Sequence, residues 1–371
     1  MRILLISSEF PPGPGGIGRH AADLSLALVS RSYVVDVYSS IDYVTDGSIS
    51  LYRNELPPNI ILHRFKRLGI LTYPLRILLV INAVRLNNYS RIILTGKFPL
   101  WIGGIIKILH GKNRKAECFV HGSEINPGSR LNRILTHWAL GKADIIWAVS
   151  EFTRSILPVK IRLSKEIRIL PNGIQTTAWP VPDSVEPFAD WKGYPKLLTV
   201  GSISPRKGQH RVINVLPMLI EKFPDIHYHI VGMDSNAVYL RDLISTLKLE
   251  NNITIHGRLP GRMELARAYK TSDIFMMLSE NQSDGDVEGF GIAILEANIY
   301  GLPAIGAIGC GIEDAISPGI NGELVDGGNV KNITNTVIKV LEQTQKYSPG
   351  IQEWVRRHDW SILIDDFLKP E

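Results

Sequence analysis

The segment EGFGIAILEA (288–297) places two carboxylates, Glu288 and Glu296, eight positions apart around a pair of glycines. Gly289 and Gly291 let a ligand approach the backbone closely, and they are predicted to open a helix, whose positive end favours a phosphate. Glu296 is expected ~8 Å further along the helix axis than Glu288. Because a carboxylate only accepts hydrogen bonds, each glutamate suits a pair of vicinal hydroxyls.

A second loop supplies positive charge. The segment GSISPRKGQH (201–210) follows a predicted strand and contains Arg206 and Lys207. Parallel α/β sheets bind ligands at the carboxyl ends of their strands, and two cations there can hold a diphosphate without a metal ion. A diphosphate with a diol at each end is the form of a nucleotide-sugar, and this ligand matches both loops.

The loop after the first predicted strand, SEFPPGPGGIG (8–18), has the form G-x-G-x-x-G. A dinucleotide site is disfavoured, because this loop is long and proline-rich and because Asp36 lies in the middle of the second strand instead of at its end. Gly15 and Gly16 are instead expected to present backbone N–H groups at the start of a helix, which suits an anion.

Two further polar motifs have competing interpretations. His121 follows a predicted strand in ECFVHGSE (117–124), and its place at the carboxyl end of that strand favours a functional role over a structural one. Asp284 and Asp286 have the D-x-D form that suits Mg²⁺ or Mn²⁺, but they lie in the loop before Glu288, away from any strand end of the first domain. This loop is expected to shape a sugar or acceptor pocket, and no metal ion is expected.

Alternating strands and helices are expected to position these motifs. The predicted strands are 2–7, 33–40, 91–96, 117–122, 144–150, 166–174, 196–201, 226–232, 252–257, 273–279 and 303–307. Such alternation favours parallel sheets, and the proline-rich segment 176–196 divides it in two. The prediction is a first domain over residues 1–180, to which a C-terminal helix of about 352–371 returns, and a second domain over 181–351.

Composition excludes several classes of protein. The chain has 371 residues, of which 44% are hydrophobic and 21% charged, as in ordinary globular enzymes. Its two cysteines, Cys118 and Cys310, form no metal-binding cluster or disulfide framework, which indicates a reducing compartment. The N-terminus has neither the length nor the cleavage signature of a signal peptide, so a cytoplasmic location is expected.

Positive charge is concentrated in residues 56–116, which contain eleven Lys and Arg and no Asp or Glu, although the whole chain has a net charge of only +5. The apolar runs 74–84 and 98–110 are too short to span a bilayer. Basic and apolar residues together suit an anionic membrane, so docking at the inner face of the cell membrane is expected. Core elements with solvated basic flanks remain the alternative. Nucleic acid is disfavoured, because no aromatic stacking ladder accompanies the charge.

These motifs together resemble family-four retaining glycosyltransferases of the GT-B fold, similar to bacterial mannosyl- and hexosyltransferases of surface-glycan and glycolipid assembly. The resemblance covers nearly the whole chain and rests on EGFGIAILEA, SPRKG, the GG loop, VHGSE, AVSEFT and PNGI. It implies an α/β protein of two Rossmann-like domains facing across a cleft, the first binding the acceptor and the second the nucleotide-sugar. It also implies that the C-terminal helix crosses back to the first domain.

The resemblance implies roles in holding the two ends of the donor. Glu296 would bind the ribose hydroxyls, and Glu288 would hold the transferred sugar together with the backbone of Gly289, Phe290 and Gly291. The base pocket would lie near Gly232–Met233 and Arg258–Leu259, which does not distinguish guanine from uracil. GDP-mannose is favoured slightly over a UDP-hexose, because the DVEGFG context is similar to that of mannosyltransferases.

The resemblance also implies how the reacting centre is arranged. Lys207 would hold the diphosphate, Gly16 would approach the phosphate from the first domain, and His121 would contact the sugar near the reacting carbon. Ser202 occupies the position where the family usually has an arginine, and Arg206 is the cation that could substitute for it. The implied reaction transfers a hexose with retention to an acceptor that is a glycan, expected to be lipid-linked. Two alternatives remain open, a sugar-nucleotide 2-epimerase and a non-catalytic nucleotide-sugar binder.

Overall fold

The computed structural model describes residues 1–13, 15–41, 46–66, 68–111, 114–233 and 237–369. The chain divides into two compact units, Met1–Gly173 with Trp360–Glu371, and Ile174–Asp359. Each unit contains one parallel sheet whose strands alternate with helices. The predicted α/β class with two Rossmann-like domains is confirmed.

The first unit is built on a seven-stranded sheet of order β3-β2-β1-β4-β5-β6-β7. Its elements before the crossing to the second unit are β1 (Arg2–Ser7), α1 (Gly16–Ser30), β2 (Val34–Ser40), α2 (Asp46–Glu55), β3 (Ile60–Phe65), α3 (Thr72–Leu86), β4 (Arg91–Thr95), α4 (Lys97–His110), β5 (Ala116–Val120), α5 (Arg130–Leu140), β6 (Ile145–Ala148), α6 (Glu151–Ser155), α7 (Val159–Ser164) and β7 (Glu166–Ile169). The central strands are apolar along their length because helices cover a parallel sheet on both faces.

The second unit is built on a six-stranded sheet of order β10-β9-β8-β11-β12-β13. Its elements are β8 (Lys196–Val200), α8 (Gln209–Lys222), β9 (His227–Val231), α9 (Val238–Leu247), β10 (Ile253–Gly257), α10 (Gly261–Thr271), β11 (Ile274–Met277), α11 (Ile292–Ile299), β12 (Ala304–Ala307), β13 (Gly322–Val325), α12 (Val330–Glu342) and α13 (Thr344–Arg357). In each unit the strand order reverses beside the first strand, at β1/β4 and at β8/β11. Ligands of open α/β sheets bind at the carboxyl ends of strands at such a reversal.

Two strands escape the sequence-based prediction, and both are edge strands. In β3 the burial alternates irregularly along IILHRF, and the strand lies inside the basic stretch, so its hydrophobic signal is weak. The other, β13, has only four residues. Since an edge strand pairs on one side only, it needs less apolar sequence than the strands beside it.

The tail does not form the single helix expected at about 352–371. The helix α13 ends at Arg357 within the second unit, and a separate helix, α14 (Trp360–Leu368), belongs to the first. Asp359 interrupts the helix, because its backbone forms a parallel bridge with Ile174 and its carboxylate accepts the N–H of Thr176 at 3.1 Å. The unit boundaries therefore lie at 173/174 and 359/360 instead of at 180/181 and about 351/352.

The helix α14 packs against α1 within the first unit. The side chains of Trp360 and Phe367 are fully buried. The guanidinium of Arg91 lies 3.9 Å from the centre of the Phe367 ring, a cation–π contact. The end of the chain thus completes the core around the helix that follows the GG loop, in agreement with the expected return of a C-terminal helix.

Candidate functional site

Arg206 and Lys207 lie on a short 3-10 helix, Pro205–Lys207, in the loop between β8 and α8. The helix ends at Gly208, whose φ of 72° is left-handed. A Cβ atom at Gly208 would lie 1.9 Å from the carbonyl oxygen of Leu278, just beyond β11, so glycine is required for the loop to pass this strand end. The two cations are therefore held at the reversal between β8 and β11, where a ligand is expected.

Glu288 joins these two cations into one ion cluster. Its Oε2 accepts a hydrogen bond from Nζ of Lys207 at 2.7 Å and another from Nη1 of Arg206. The Nε of Arg206 donates to Oδ2 of Asp286 at 2.9 Å. The sequence-based prediction assigned the two cations to a diphosphate and Glu288 to a sugar. In the structure, Arg206 and Lys207 both contact Glu288 directly.

The charge of this cluster follows from its pairing. Burial would raise the pKa of Glu288, but the positive charges of Lys207 and Arg206 outweigh it and hold that pKa below its ordinary value. Burial would likewise lower the pKa of Arg206, but Glu288 and Asp286 outweigh it and raise that pKa. Both groups are therefore ionised near neutral pH. The two cations are thus neutralised by Glu288, and any anionic ligand would compete with this carboxylate for the same donors.

The segment 289–291 leads into α11 with its backbone closely packed. Gly291 caps the helix with φ 93° and ψ 57°, and a Cβ atom there would lie 3.2 Å from Sδ of Met277. The carbonyl of Gly289 lies against Gly311, where an added Cβ would come within 2.0 Å of it. The ring of Phe290 is buried, so Phe290 offers a ligand only its backbone. The N–H of Ile294 donates to the carbonyl of Gly291 at 2.9 Å, and the positive end of the α11 helix dipole favours an anion at this end of the helix.

Glu296 lies on α11 and is held by Tyr269 of α10. The hydroxyl of Tyr269 donates to Oε2 of Glu296 at 2.8 Å. The Tyr269 ring is fully buried and stacks on Tyr300 with an interplanar angle of 8°. Because a carboxylate can accept about four hydrogen bonds, this contact orients Glu296 and leaves capacity for ligand hydroxyls. Tyr269 was missed from the sequence, where it is one aromatic residue on the buried face of a helix.

The residues expected around the base lie at the carboxyl ends of the neighbouring strands β8, β9 and β10. A Cβ atom at Gly232 would lie 1.8 Å from the carbonyl oxygen of Gly201, so these two loop backbones touch. Ser202 and Arg258 are exposed and Leu259 is partly buried. The carbonyl of Ser202 accepts from Nε2 of Gln209 at 3.2 Å, so this residue contributes its backbone to the loop.

In the first unit the GG loop already faces a carboxylate. Gly15 caps α1 with φ 126°, and a Cβ atom there would lie 1.8 Å from Oε2 of Glu9. Burial raises the pKa of Glu9, and a hydrogen bond from the backbone of Gly18 opposes that rise. A Cβ atom at Gly16, in contrast, would meet no atom within 4 Å. Glu9 therefore accepts one of the backbone N–H groups at the start of α1, whereas the space beside Gly16 is open.

His121 lies at the carboxyl end of β5, beside the end of β4. Its Nε2 is 2.8 Å from Oγ1 of Thr95, and its ring meets that of His20 at a centroid distance of 4.8 Å. Burial lowers the pKa of His121 to about 3. The imidazole is therefore neutral at physiological pH, so it can hydrogen-bond to a ligand but brings no positive charge.

Glu124 is a polar residue of this region to which the sequence-based prediction gave no role. Only 4% of it is exposed. Its Oε1 accepts the N–H of His121 at 2.5 Å, whereas its Oε2 is buried without a hydrogen-bond partner among the described residues. Burial, aided by the charge of Glu9, raises the pKa of Glu124 to about 7 against the N–H groups of His121, Gly122 and Glu124 itself. The available signal was the sequence VHGSE, which puts a carboxylate three residues after a strand-end histidine.

The D-x-D motif forms a turn, and its second carboxylate pairs with an arginine of the same unit. The Oδ1 of Asp284 accepts the N–H of Asp286 at 3.0 Å, and the side chain of Asp286 is engaged by Arg206. Within the described ranges, no group of three or more His, Cys, Asp or Glu side chains is arranged to hold a metal ion.

Much of the basic stretch is used inside the first unit. Arg91 pairs with Glu117, Lys107 with Asp144, and Arg64 donates to the backbone carbonyls of Phe10, Pro11 and Ser40. Arg67 and Lys112 lie outside the described residues. The α3 helix nevertheless exposes several apolar side chains, Leu75, Leu78, Leu79 and Leu86. In the part of the chain that the structure describes, no helix has the length and apolar character needed to cross a bilayer.

Models of two protein families match the chain, one in each unit. The model described as Glycosyltransferase Family 4 matches residues 14–178, and that described as Glycosyl transferases group 1 matches residues 185–352. The two matches together span most of the sequence. They include both glycine loops, the cation loop and the two glutamates.

Curated relatives and solved structures agree with these matches. The chain is 27% identical to a GDP-mannose-dependent alpha-(1-6)-phosphatidylinositol monomannoside mannosyltransferase of Mycolicibacterium smegmatis, over 93% of this chain and 90% of the relative. A Corynebacterium glutamicum mannosyltransferase that acts on the monoacylated form is 26% identical over 92% and 89%. The structure of Anabaena HepE in complex with UDP and glucose superposes with a TM-score of 0.74 at 19% identity, covering 99% and 98% of the two chains. The chain belongs to the family 4 glycosyltransferases, with their GT-B fold.

Proposed function

We propose that this glycosyltransferase moves mannose from GDP-mannose to a lipid-linked glycan acceptor with retention at the anomeric carbon and without a metal ion, in the assembly of a bacterial surface glycan or glycolipid. The names of its curated relatives support the donor and the kind of acceptor, since those proteins are GDP-mannose-dependent and act on phosphatidylinositol mannosides. The likeness to HepE supports the fold alone.

The observation that carries the proposal is the cluster of Lys207, Arg206 and Glu288 beside the N-terminus of α11. It collects two cations and a helix end at the carboxyl end of β8, which suits a diphosphate. When the donor binds, its diphosphate takes over the two cations. Glu288 then turns to the hydroxyls of the transferred sugar, for which an acceptor-only group is suited. Arg206, held by Asp286, supplies the cation that Ser202 does not.

The reaction breaks the bond between the anomeric carbon and the diphosphate oxygen. Negative charge grows on the diphosphate, where Lys207, Arg206 and the first N–H groups of α11 stabilise it. The acceptor oxygen forms its bond on the face that the diphosphate leaves, and its proton passes to the departing phosphate. No enzyme carboxylate acts as a nucleophile. In the first unit, the neutral imidazole of His121 is suited to hydrogen-bond to a sugar, and the open backbone at Gly16 is suited to a phosphate.

The donor is tested by thermal stabilisation of the full chain with GDP-mannose, UDP-glucose, UDP-galactose and UDP-GlcNAc, each with Mg²⁺ and with EDTA. A ligand at 100 times its Kd adds ~2.7 kcal/mol. GDP-mannose is expected to stabilise equally with EDTA, and Glu296→Ala is expected to remove the effect. The matched control is Glu342→Ala, an exposed glutamate of α12. Stabilisation by UDP-sugars alone would contradict the donor, and a requirement for Mg²⁺ would contradict the metal-free site.

Retention is tested on the product itself. The anomeric proton coupling of the product, measured by NMR, is expected to show the α configuration of the donor. A β product would exclude the same-face mechanism. Release of mannose epimerised at C2 from donor alone would instead identify an isomerase.

Membrane docking is proposed for the apolar face of α3. Vesicle sedimentation is expected to retain the protein on anionic vesicles at low salt and to release it from neutral ones, because basic residues add to the apolar contact. Replacing Leu78 and Leu79 by serine is expected to abolish retention, whereas Leu163→Ser, at a still more exposed leucine of α7, is expected to leave it intact. Equal retention of both variants would show that α3 is not the docking face.

A further inference from the structure

Two histidines of β9 lie on one face of the second sheet, opposite the apolar residues of the same strand. Side chains alternate between the two faces of a strand, and in the β9 sequence HYHIV the residues Tyr228 and Ile230 belong to an apolar core cluster. His227 and His229 lie on the other face, where only 3% and 1% of them are exposed. The chain just before β8 covers this face, because the ring of Trp191 stacks on that of His229.

Trp191 is the middle layer of a stack that holds this covering segment, residues 188–192, on the sheet. On one side its ring lies 4.3 Å from the rings of both His229 of β9 and His256 of β10, with interplanar angles of 15° and 13°. On its other side the ring of Phe188 is stacked at 5.0 Å with an interplanar angle of 5°. The two imidazoles therefore form the surface to which the covering segment is attached.

Hydrogen bonds determine where the protons of the two imidazoles lie. The Nε2 of His229 is 3.1 Å from the carbonyl oxygen of Lys192, which can only accept, so Nε2 carries the proton of the neutral ring. The Nδ1 of His229 is then an acceptor, and it lies 2.9 Å from Nε2 of His256, which donates to it. The pair can keep this bond with one additional proton, because the facing nitrogens still share a single proton. With both rings protonated, an N–H faces an N–H and the bond is lost.

The surroundings of the pair oppose positive charge. Burial is the largest cause and lowers the pKa of His229 to about 3. Burial also lowers the pKa of His256, although the charge of Asp190 opposes that shift. The charged and titratable groups beside the pair and its covering stack are His227, Lys192, Lys196, Arg267 and Asp190. Four of these five are basic, so a second proton on the pair finds little compensation.

We propose that His229 and His256 form an acid-sensitive latch, which holds the covering segment on the second unit at neutral pH and releases it when both rings are protonated. Opening exposes both imidazoles to water, where each has an ordinary pKa of about 6.5. The open state then binds at least one proton more than the closed state. Because the closed pair has the lower pKa, the latch is fully closed above about pH 6.5. It loosens as pH falls, by about tenfold per pH unit for each proton taken up.

The test is amide hydrogen exchange of the full chain, measured by mass spectrometry at pH 5.0 and 7.5 and corrected for the intrinsic exchange rate. Two amides report on the segment. The N–H of Phe188 donates to Oγ1 of Thr271 at 2.8 Å, and that of Tyr194 donates to the carbonyl of Asp225 at 2.8 Å. Their exchange is expected to be about 30-fold faster at pH 5.0, which lies about 1.5 units below the pKa of an open histidine. Equal protection at the two pH values would overturn the proposal, as would loss of protection throughout the second unit at pH 5.0.

Variants of His229 separate the latch from general effects of acid. His229→Asn keeps an acceptor for His256, His229→Gln keeps a donor for the carbonyl of Lys192, and neither side chain titrates. In both variants the ratio of the two exchange rates is expected to fall to about threefold or less. His227→Gln is the matched control, because this buried histidine of the same face bonds to Thr254 outside the covering segment, and the full ratio is expected to persist. A ratio that persists in both His229 variants, or that disappears in the control, would assign the pH dependence to other groups and overturn the latch.

Discussion

Two buried glutamates, Glu288 in the second unit and Glu124 in the first, lie in loops that follow strands of the two sheets and have opposite electrostatic surroundings. Glu288 contacts two cations, and its pKa is lowered. Glu124 has only backbone N–H groups as partners, one of its oxygens has no hydrogen-bond partner among the described residues, and its pKa is raised. The second unit thus holds a complete ion cluster that an anionic ligand must open, whereas the first unit holds an incomplete one that a hydroxyl can complete. The same substitution, Glu to Gln, is therefore expected to affect the stability of the two sites in opposite directions.

The largest effect is expected from Lys207→Ala. In the proposed mechanism Lys207 faces the growing charge on the diphosphate, and the loss of one such donor lowers kcat by about 10²–10³-fold. Glu288 stays paired with Arg206, so the fold is expected to remain intact. Steady-state mannosyl transfer and circular dichroism measure the two effects. Lys222→Ala, an exposed lysine of α8, is the control. A loss of less than tenfold would show that Lys207 serves only to neutralise Glu288.

Glu288→Gln separates competition for the cations from binding of the sugar. Transfer is expected to fall about 10²-fold, because the sugar loses a charged acceptor. The Kd of GDP is expected to stay equal or become tighter, since the diphosphate no longer competes with a carboxylate. Breaking the buried cluster is expected to lower stability by about 3 kcal/mol. Calorimetric binding and thermal unfolding measure these effects, and a weaker Kd for GDP would contradict the competition.

Glu124→Gln is expected to raise stability at high pH. The pKa of Glu124 is raised on folding from 4.5 to about 7, so deprotonation is less favourable in the folded state than in the unfolded chain. The resulting destabilisation is absent below pH 4.5, grows as pH rises and is complete above pH 7. Glutamine never carries this charge, so the variant is expected to be more stable by about 2–3 kcal/mol at pH 8 and by much less at pH 5. Thermal unfolding at the two pH values tests this, and a gain that is independent of pH would assign it to packing.

The contrast between the two glutamates also shows what local sequence can convey. The strand ends, the glycine loops and the cations of the second unit were predicted in their places, because each depends on a short motif next to an apolar run. The pairing of Glu288 with Lys207 was not, since it joins residues 81 positions apart across two strand ends. The sequence also did not predict that one oxygen of Glu124 is hydrogen-bonded and the other is buried without a partner among the described residues, because this depends on how much water the packed unit excludes.

The basic stretch illustrates the same limit. Eleven cations in residues 56–116 suggested a charged surface. Arg91 and Lys107 instead neutralise Glu117 and Asp144, which lie outside the acid-free stretch, and Arg76 lines a cavity. Charge summed along a sequence cannot tell an exposed cation from one whose counter-ion arrives from a neighbouring strand. The leucines of α3 are exposed in the structure, so they remain available to the membrane contact that the sequence predicted.

Tyr269→Phe is expected to have the smallest effect and to show whether Glu296, the carboxylate proposed to bind ribose, needs orienting. The hydroxyl of Tyr269 holds Oε2 of Glu296 at 2.8 Å, and the ring itself would remain buried in the variant. Because this hydrogen bond only orients Glu296, its loss is expected to weaken binding by no more than an ordinary hydrogen bond, about 1 kcal/mol or roughly a fivefold weaker Kd for GDP. Tyr300→Phe removes the hydroxyl of the stacked ring, which donates to Pro180, and is the matched control. If Tyr269 acts by positioning Glu296, the preference for GDP over its 2′-deoxy form is expected to fall in Tyr269→Phe and to persist in Tyr300→Phe. An equal loss of affinity for both nucleotides would mean that the hydroxyl supports the fold of α10 and α11 and not the recognition of ribose.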